Sequence, residues 1–77
     1  MTSNQLLGAS WCAPCNATKL FLDNRGITYD YIDIDTDEGM ELAATHNIKG
    51  IPAMVITSKD GITVLRGEKS IKEAFDE

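Results

Sequence analysis

Two cysteines, Cys12 and Cys15, are the residues of this 77-residue chain whose type and spacing suit them to a chemical reaction or to metal binding. A Cys-x-x-Cys pair can exchange disulfides with other thiols or supply two ligands of a metal site. A disulfide framework is excluded because the chain has only these two cysteines. With His46 the chain offers three Cys or His side chains, one fewer than a structural zinc site takes. The motif therefore predicts a redox pair. The alternative is a metal-binding module, such as a dimer that shares an iron–sulfur cluster through Cys12.

The motif lies where a predicted strand passes into a predicted helix. Residues 5–9 form a short apolar stretch typical of a strand, and residues 13–25 predict a helix with Pro14 in its first turn. Cys12 then lies at or just before the helix start and Cys15 about one turn further. Residues three apart on a helix lie on one side with Cβ atoms ~5–6 Å apart, close enough for a disulfide. The free N–H groups and the dipole at the helix start should favour the thiolate form of Cys12.

This placement predicts a two-step exchange. The Cys12 thiolate attacks a substrate disulfide and forms a mixed disulfide. Cys15, which we expect to be the less exposed cysteine, then attacks Cys12 and releases the reduced substrate. The product is a Cys12–Cys15 disulfide that a reductant must reopen, so we expect no cofactor beyond this disulfide. Pro14 limits the backbone freedom between the two cysteines.

The remaining sequence predicts a second strand and a second helix. Residues 27–35 alternate, so that Ile32 and Ile34 point to one face of a sheet and Tyr31 points to the other. The acidic residues 35–38 complement the positive end of a helix dipole, and they predict a helix that extends to about residue 46. His46 should be a surface residue or a helix cap without a chemical role.

The last third of the chain predicts a hairpin and a short helix. Apolar residues 53–57 and residues 62–66 read as strands joined by an Asp-Gly turn at 58–61. Ser70 and Glu73 form a capping box that predicts a terminal helix. A right-handed crossover would make the first two strands parallel, and the hairpin would make the last two antiparallel. We therefore expect one α/β domain over residues 1–77, with the order β-α-β-α-β-β-α and a four-stranded mixed sheet flanked by helices.

Helical spacing also predicts which side chains face the core. The set comprises three side chains from each helix: Ala17, Leu20, Phe21, Met40, Ala43, Ala44, Ile71, Ala74 and Phe75. Met54 should join the core from the third strand, and both tyrosines should pack on the sheet. Gly39 is expected to weaken the first turn of the second helix.

Charge and composition restrict the partners and the compartment. The net charge is −5, and the seven Lys and Arg residues are scattered, which argues against nucleic acid binding. Residues 1–5 lack the basic start and apolar run of a signal peptide, and no stretch approaches the ~20 apolar residues of a membrane span. We therefore expect a cytoplasmic monomer without a membrane partner.

The segment Trp11-Cys12-Ala13-Pro14-Cys15 resembles the active site of thioredoxins, with Ala13 where thioredoxins usually carry glycine. The short length and the residues at 15–19 and 24–27 are similar to NrdH-redoxins, a glutaredoxin-like group, and to small phage glutaredoxins. The resemblance implies a thioredoxin fold and a thiol–disulfide oxidoreductase that reduces protein disulfides. Its leading specific partner would be ribonucleotide reductase.

The same resemblance implies further site residues. Ile51 and Pro52 correspond to the segment of the fold in which a cis-proline faces the cysteines, so Pro52 is expected to be cis. The Ile51 backbone would then pair with the main chain of a substrate. Gly67 matches a glycine near the last helix that lets a substrate approach closely. We expect Trp11 and Pro14 to complete this docking surface, with a lid over the end of the first helix as the alternative role of Trp11.

The reductant is open between thioredoxin reductase and glutathione. Glutathione-using glutaredoxins typically carry a Gly-Gly pair followed by acidic residues, whereas this chain has Arg66 in place of one glycine and Ser70 at the acidic position. Arg66 or Lys69 could hold a glutathione carboxylate in another way. The altered stretch favours thioredoxin reductase, with a glutathione-dependent glutaredoxin as the alternative. Leu6 replaces the buried aspartate of thioredoxins, so this position offers no carboxylate to Cys15.

Overall fold

Seven helices and strands within residues 2–76, the part of the chain that the computed structural model describes, follow the predicted order. The strands are β1 (Ser3–Gly8), β2 (Asp30–Asp33), β3 (Ala53–Ser58) and β4 (Gly61–Arg66). The helices are α1 (Ala13–Asn24), α2 (Asp37–Thr45) and α3 (Glu68–Phe75). Within these residues, no helix is both long and apolar enough to cross a membrane.

The four strands form one mixed sheet in the order β2-β1-β3-β4. β1 runs parallel to β2, with Leu6 opposite Tyr31, and antiparallel to β3, with Leu6 opposite Met54. β3 and β4 form an antiparallel hairpin in which Ser58 pairs with Gly61. The predicted fold class, the parallel first pair and the antiparallel last pair are therefore confirmed.

The main core lies on the sheet face covered by α1 and α3. It consists of four fully buried side chains: Leu6, Leu22, Met54 and Ile71. Because side chains alternate along a strand, the buried Leu7 and Val55 point to the opposite face. α2 covers that face, where Leu42 lies beside Gln5. The helices thus flank both sides of the sheet, and Met54 and Ile71 are core residues as predicted.

The buried face of α1 differs from the predicted one. It comprises three side chains spaced along one side of the helix: Cys15, Thr18 and Leu22. Ala17 and Leu20 are exposed, so the predicted stripe was wrong there, while Phe21 is half-buried against the core. Thr18 is polar by residue type but donates its hydroxyl hydrogen to the Pro14 carbonyl at 2.8 Å. This bond satisfies the hydroxyl and allows the side chain to be buried.

The start of α2 depends on Gly39, which is buried. The Thr36 hydroxyl caps the helix by accepting a hydrogen bond from the Gly39 N–H at 3.1 Å. A Cβ atom at Gly39 would lie 2.7 Å from the carbonyl carbon of Asp33 and 2.8 Å from Cα of Ile34. Gly39 thus permits a close approach between α2 and the end of β2. The sequence alone predicted only that Gly39 would weaken the first turn and did not reveal this packing role.

The outward face of α2 carries two residues that were predicted to be buried. Met40 is 53% exposed and Ala44 is exposed, while Ala43 is half-buried. The prediction was wrong because the close contact at Gly39 rotates the helix so that Gly39, rather than Met40, faces the sheet. His46 is the C-cap of α2.

α3 begins earlier than the predicted capping box. Its N-cap is Gly67, with φ of 94° and no side-chain hydrogen bond, so Ser70 lies inside the helix instead of capping it. A positive φ suits glycine and turns the chain from β4 directly into the helix. Phe75 is half-buried as predicted, but Ala74 is exposed.

Candidate active site

Cys12 and Cys15 are joined by a disulfide across the start of α1, with their Cα atoms 5.2 Å apart. Cys12 is the N-cap of the helix and has extended backbone angles. The backbone N–H of Cys15 donates a hydrogen bond to Sγ of Cys12 at 3.2 Å. The sulfur of Cys12 therefore takes the place of a capping oxygen and faces the free N–H groups at the helix start. This geometry favours negative charge on Cys12 once the disulfide is open.

The two cysteines differ in access from solvent. Cys12 is 7% exposed and Cys15 is fully buried. A separate apolar cluster, formed by Ala9 and both cysteines and covered by Ile34 and Ile51, surrounds the disulfide. Cys15 is thus the less exposed cysteine, as the sequence predicted.

Trp11 lies at the surface beside the disulfide, with 68% of its area exposed. Its indole Nε1 donates a hydrogen bond to Oδ2 of Asp35 at 3.0 Å. Asp35 belongs to the loop between β2 and α2, where its backbone N–H bonds Oδ1 of Asp33 at 2.8 Å. Two loops that meet at the carboxyl ends of adjacent parallel strands thus fix the indole.

A groove of about 420 Å³ runs from Trp11 along α2, and we call it the Trp11 groove. Its wall is mostly apolar and includes Trp11, Ile34, Met40, Ala43, Ile48 and Ile51. Because Ile34 and Ile51 also cover the cysteine cluster, the groove ends at the disulfide. Sequence reasoning missed the contribution of Met40, since helical periodicity alone placed it in the core.

The Ile51–Pro52 peptide is cis, as the resemblance implied. Pro52 is buried, and its carbonyl accepts a hydrogen bond from the Gly67 N–H at 2.9 Å. This bond joins the segment before β3 to the turn before α3. The bond therefore holds Pro52 and Gly67 next to Ile51, which covers the cysteine cluster, while Pro14 is exposed on the first turn of α1.

A second groove, of about 540 Å³, lies beside this segment, and we call it the Arg66 groove. It is lined by Asn47, Lys49, Ile51, Pro52, Arg66 and Gly67. The guanidinium of Arg66 donates hydrogen bonds to the carbonyls of Asn47 at 3.0 Å and His46 at 3.1 Å. Arg66 thus satisfies carbonyl groups at the C-terminal end of α2, where a cation also complements the helix dipole.

The two tyrosines hold their protons strongly. Burial, a 2.9 Å hydrogen bond to Asp23 and the negative charge of that carboxylate raise the pKa of Tyr29 to about 12. Burial, followed by the charge of Asp33, raises the pKa of Tyr31. Both phenols are neutral at pH 7.

Among residues 2–76, no three His, Cys, Asp or Glu side chains gather in a way that could hold a metal ion. The acidic residues Asp37 and Glu38 lie exposed in the first turn of α2. Their position matches a charged helix start, as expected from the sequence.

Comparison with known families gives a match to the family described as Glutaredoxin over residues 1–59. The chain belongs to the glutaredoxin family. The matched residues include β1, both cysteines, the cis-proline segment and all of β3.

Two similar proteins of Plasmodium falciparum carry thioredoxin names. Thioredoxin 3 of Plasmodium falciparum (isolate 3D7) is 44% identical over 48 residues, which are 58% of this chain and 26% of that protein. The chain therefore spans 26% of the length of this curated relative. The crystal structure of a Plasmodium falciparum thioredoxin superposes with a TM-score of 0.70 and 27% identity, over 96% of this chain and 68% of that one.

A third comparison concerns the fold alone. Deadhead, a germline-specific thioredoxin of Drosophila melanogaster, gives a TM-score of 0.76 at 19% identity and covers 95% of this chain and 74% of its own. Together with the family match and the disulfide, these findings show a redox protein of the glutaredoxin/thioredoxin superfamily.

Proposed function

We propose that this glutaredoxin-family chain is a dithiol redoxin that reduces disulfides in protein substrates. One observation carries the proposal: Sγ of Cys12 accepts a hydrogen bond from the Cys15 N–H at the start of α1, and residue Cys12 is 7% exposed whereas Cys15 is fully buried. The first feature supports a stabilised thiolate, and the second separates the attacking cysteine from the resolving one.

The proposed reaction moves two electrons and two protons. The Cys12 thiolate bonds one sulfur of the substrate disulfide, and the other substrate sulfur leaves as a thiolate and takes a proton. Cys15 then loses its proton and attacks Sγ of Cys12. The substrate sulfur that was bonded to Cys12 leaves as a thiolate and takes the second proton. The chain ends with the Cys12–Cys15 disulfide. Two thiols of a reductant reverse these steps on the chain.

The surface around the disulfide supports a polypeptide substrate. The substrate main chain would pass Ile51 and Gly67, which lie beside the buried cis-proline. A side chain next to the substrate cysteine would enter the Trp11 groove, whose apolar wall ends at the disulfide. Pro14, exposed on α1, would border the same contact.

For the partners, we propose thioredoxin reductase as the reductant and ribonucleotide reductase as the leading substrate, in the manner of NrdH-redoxins. The Trp11-Cys12-Ala13-Pro14-Cys15 segment supports this choice. The hydrogen bonds of Arg66 to the end of α2 also support it, since they engage a cation that could otherwise bind a glutathione carboxylate. We further propose that the chain works as a cytoplasmic monomer without a prosthetic group.

A glutathione-dependent glutaredoxin is the second candidate. The observation in its favour is the Arg66 groove, where exposed Lys49 lies close to the cis-proline segment. A lysine there could bind a carboxylate of glutathione.

Two coupled assays separate these candidates. The oxidised chain is supplied with NADPH and thioredoxin reductase, or with glutathione, glutathione reductase and NADPH, and NADPH consumption is followed with insulin as the disulfide substrate. We expect turnover with thioredoxin reductase and little with glutathione. Rapid turnover only with glutathione would reverse the choice of reductant.

Cysteine variants test the proposed roles. We expect Cys12→Ser to abolish turnover, and Cys15→Ser to hold its substrate as a stable mixed disulfide that mass spectrometry identifies. The matched control, Cys12→Ser with Cys15→Ser, should trap nothing. A brown protein that contains iron, with no free thiols to titrate at the two cysteines, would favour the metal-binding alternative.

A further inference from the structure

The hydroxyl of Tyr31 is a buried polar group whose role the exchange steps leave open. Its Oη atom is shielded from solvent and finds no hydrogen-bond partner within residues 2–76. Buried hydroxyls nearly always have a partner, because leaving one unpaired costs free energy. A group of this kind in a folded core therefore calls for a physical explanation.

The hydroxyl of Tyr31 lies near Cys15. The two residues meet above Gly8 of β1, where no side chain intervenes. A Cβ atom built on Gly8 would lie 2.8 Å from Oη of Tyr31 and 3.1 Å from Cβ of Cys15. The phenol therefore reaches across the glycine from β2 to the first turn of α1, next to the buried cysteine of the redox pair.

Neighbouring side chains fix the phenol in this position. The ammonium of Lys19 lies 4.2 Å from the centre of the Tyr31 ring, where a cation is attracted to the ring face. Lys19 is one turn after Cys15 on α1, so the same face of the helix carries both residues that lie near Tyr31. Leu6, opposite Tyr31 in the sheet, is apolar and offers no competing polar group.

We propose that Tyr31 donates a hydrogen bond to Sγ of Cys15 when the disulfide is open. In the disulfide form, Sγ of Cys15 is held by its bond to Cys12, and the hydroxyl has no partner among the described residues. Reduction frees rotation about the Cα–Cβ bond of Cys15, and Oη is a donor beside that Cβ. This inference rests on the proposed dithiol cycle.

The hydrogen bond acts on the leaving sulfur. When a reductant thiolate attacks Sγ of Cys12, the bond to Cys15 breaks and its electron pair goes to Sγ of Cys15 as a thiolate. The Tyr31 O–H stabilises that charge as a donor and keeps its own proton, since burial and Asp33 raise the pKa of the phenol above its ordinary value. The thiolate later takes its proton from solvent or from the departing thiol.

The disulfide and dithiol forms together predict the direction in which Tyr31 shifts the redox equilibrium. The hydroxyl is unpaired in the disulfide form and paired in the dithiol form, so it favours the dithiol. Tyr31→Phe keeps the ring and removes the hydroxyl, which should favour the disulfide. A hydrogen bond gained by a buried hydroxyl that otherwise has no partner corresponds to a change of about tenfold in the equilibrium constant. For a two-electron couple, that change makes the reduction potential about 30 mV more negative.

The test equilibrates the full chain with oxidised and reduced dithiothreitol at pH 7 and counts alkylated thiols by mass spectrometry. We expect the Tyr31→Phe equilibrium to shift about tenfold toward the disulfide. The control is Tyr29→Phe, which also removes one phenol hydroxyl of the core but breaks a bond to Asp23 rather than one near a cysteine. The control should stay within about twofold of the wild type.

Denaturation gives an independent readout that does not require redox equilibrium. Urea unfolding of both redox forms should show that Tyr31→Phe destabilises the dithiol form more than the disulfide form. A purely structural role of the hydroxyl would lower the stability of both forms equally. Equal equilibrium constants for Tyr31→Phe and wild type would overturn the proposal while the dithiol cycle stands. A wild-type disulfide that does not exchange with dithiothreitol at all would instead overturn the proposed function.

Discussion

The indole Nε1 of Trp11 lies 3.0 Å from Oδ2 of Asp35, a residue 24 positions away in the sequence. The bond holds a largely exposed aromatic ring at the mouth of the Trp11 groove instead of leaving it free to rotate. A side chain that is already ordered loses less conformational entropy when a partner binds. The pair therefore prepares the docking surface before a substrate arrives.

Removing the carboxylate tests this arrangement. Asp35→Ala should release the indole and raise KM for a protein disulfide about threefold to tenfold, with kcat nearly unchanged, because one hydrogen bond contributes about 0.5–1.5 kcal/mol. The fluorescence anisotropy of Trp11, the only tryptophan in the chain, should fall. Asp30→Ala removes the same charge from an exposed position on β2 and should change neither quantity. Equal effects of the two variants would indicate that charge alone is responsible.

Gly39 should be intolerant of a side chain. Gly39→Ala places a Cβ against the backbone of Asp33 and Ile34, so α2 must shift away from β2. We expect the free energy of unfolding to fall by about 1–3 kcal/mol, as for other overpacked sites. Gly50→Ala is the control, because its Cβ meets nothing within 4 Å and its φ is not positive. Its free energy of unfolding in urea should stay within about 0.5 kcal/mol of the wild type.

Arg66 should contribute to stability rather than to glutathione use. Arg66→Ala removes two hydrogen bonds to the end of α2, so we expect a loss of about 1 kcal/mol in the free energy of unfolding. Lys69→Ala, at an exposed position on α3, should change it little. Activity with glutathione should be as low in the Arg66 variant as in the wild type. A further large loss of glutathione activity would instead show that Arg66 binds the tripeptide.

Tyr29 should titrate late at alkaline pH. Its pKa of about 12 lies above the ordinary value of 10.0, so the folded chain keeps a proton that the unfolded chain loses. The stability from this group is therefore complete below pH 10 and declines as the pH rises from about 10 to about 12. In a Tyr31→Phe background, phenolate absorbance reports Tyr29 alone. Asp23→Asn should move that titration to lower pH, whereas Asp30→Asn should leave it in place.

The order and type of the elements were predictable because each depends on local signals. Pro14 in the first turn of α1, the alternation around Ile32 and the Asp-Gly turn each predict an element from a few neighbouring residues. The redox pair was predictable for the same reason, since the spacing of Cys12 and Cys15 and the helix start define its geometry.

The helix faces were predicted less well because they depend on contacts between distant residues. Thr18 is buried through its bond to Pro14, and Met40 is exposed since Gly39 fits against the end of β2. Hydrophobicity alone would place Met40 in the core and Thr18 at the surface. The nearness of Tyr31 to Cys15 was equally hidden, because it requires the register of β1 on β2 and an empty position at Gly8.

The sheet order has a consequence for how the protein assembles. β1, which leads into the cysteine pair, lies between β2 and β3, so its second neighbour comes about fifty positions later in the chain. Pairings this distant are slow to form, since the loop between them must close before the contacts stabilise it. A growing chain would thus present its thiols to oxidants before Ile51, in the segment that leads into β3, has arrived to cover them. We expect the rate of folding to depend on the meeting of β1 and β3 rather than on the rapid winding of α1.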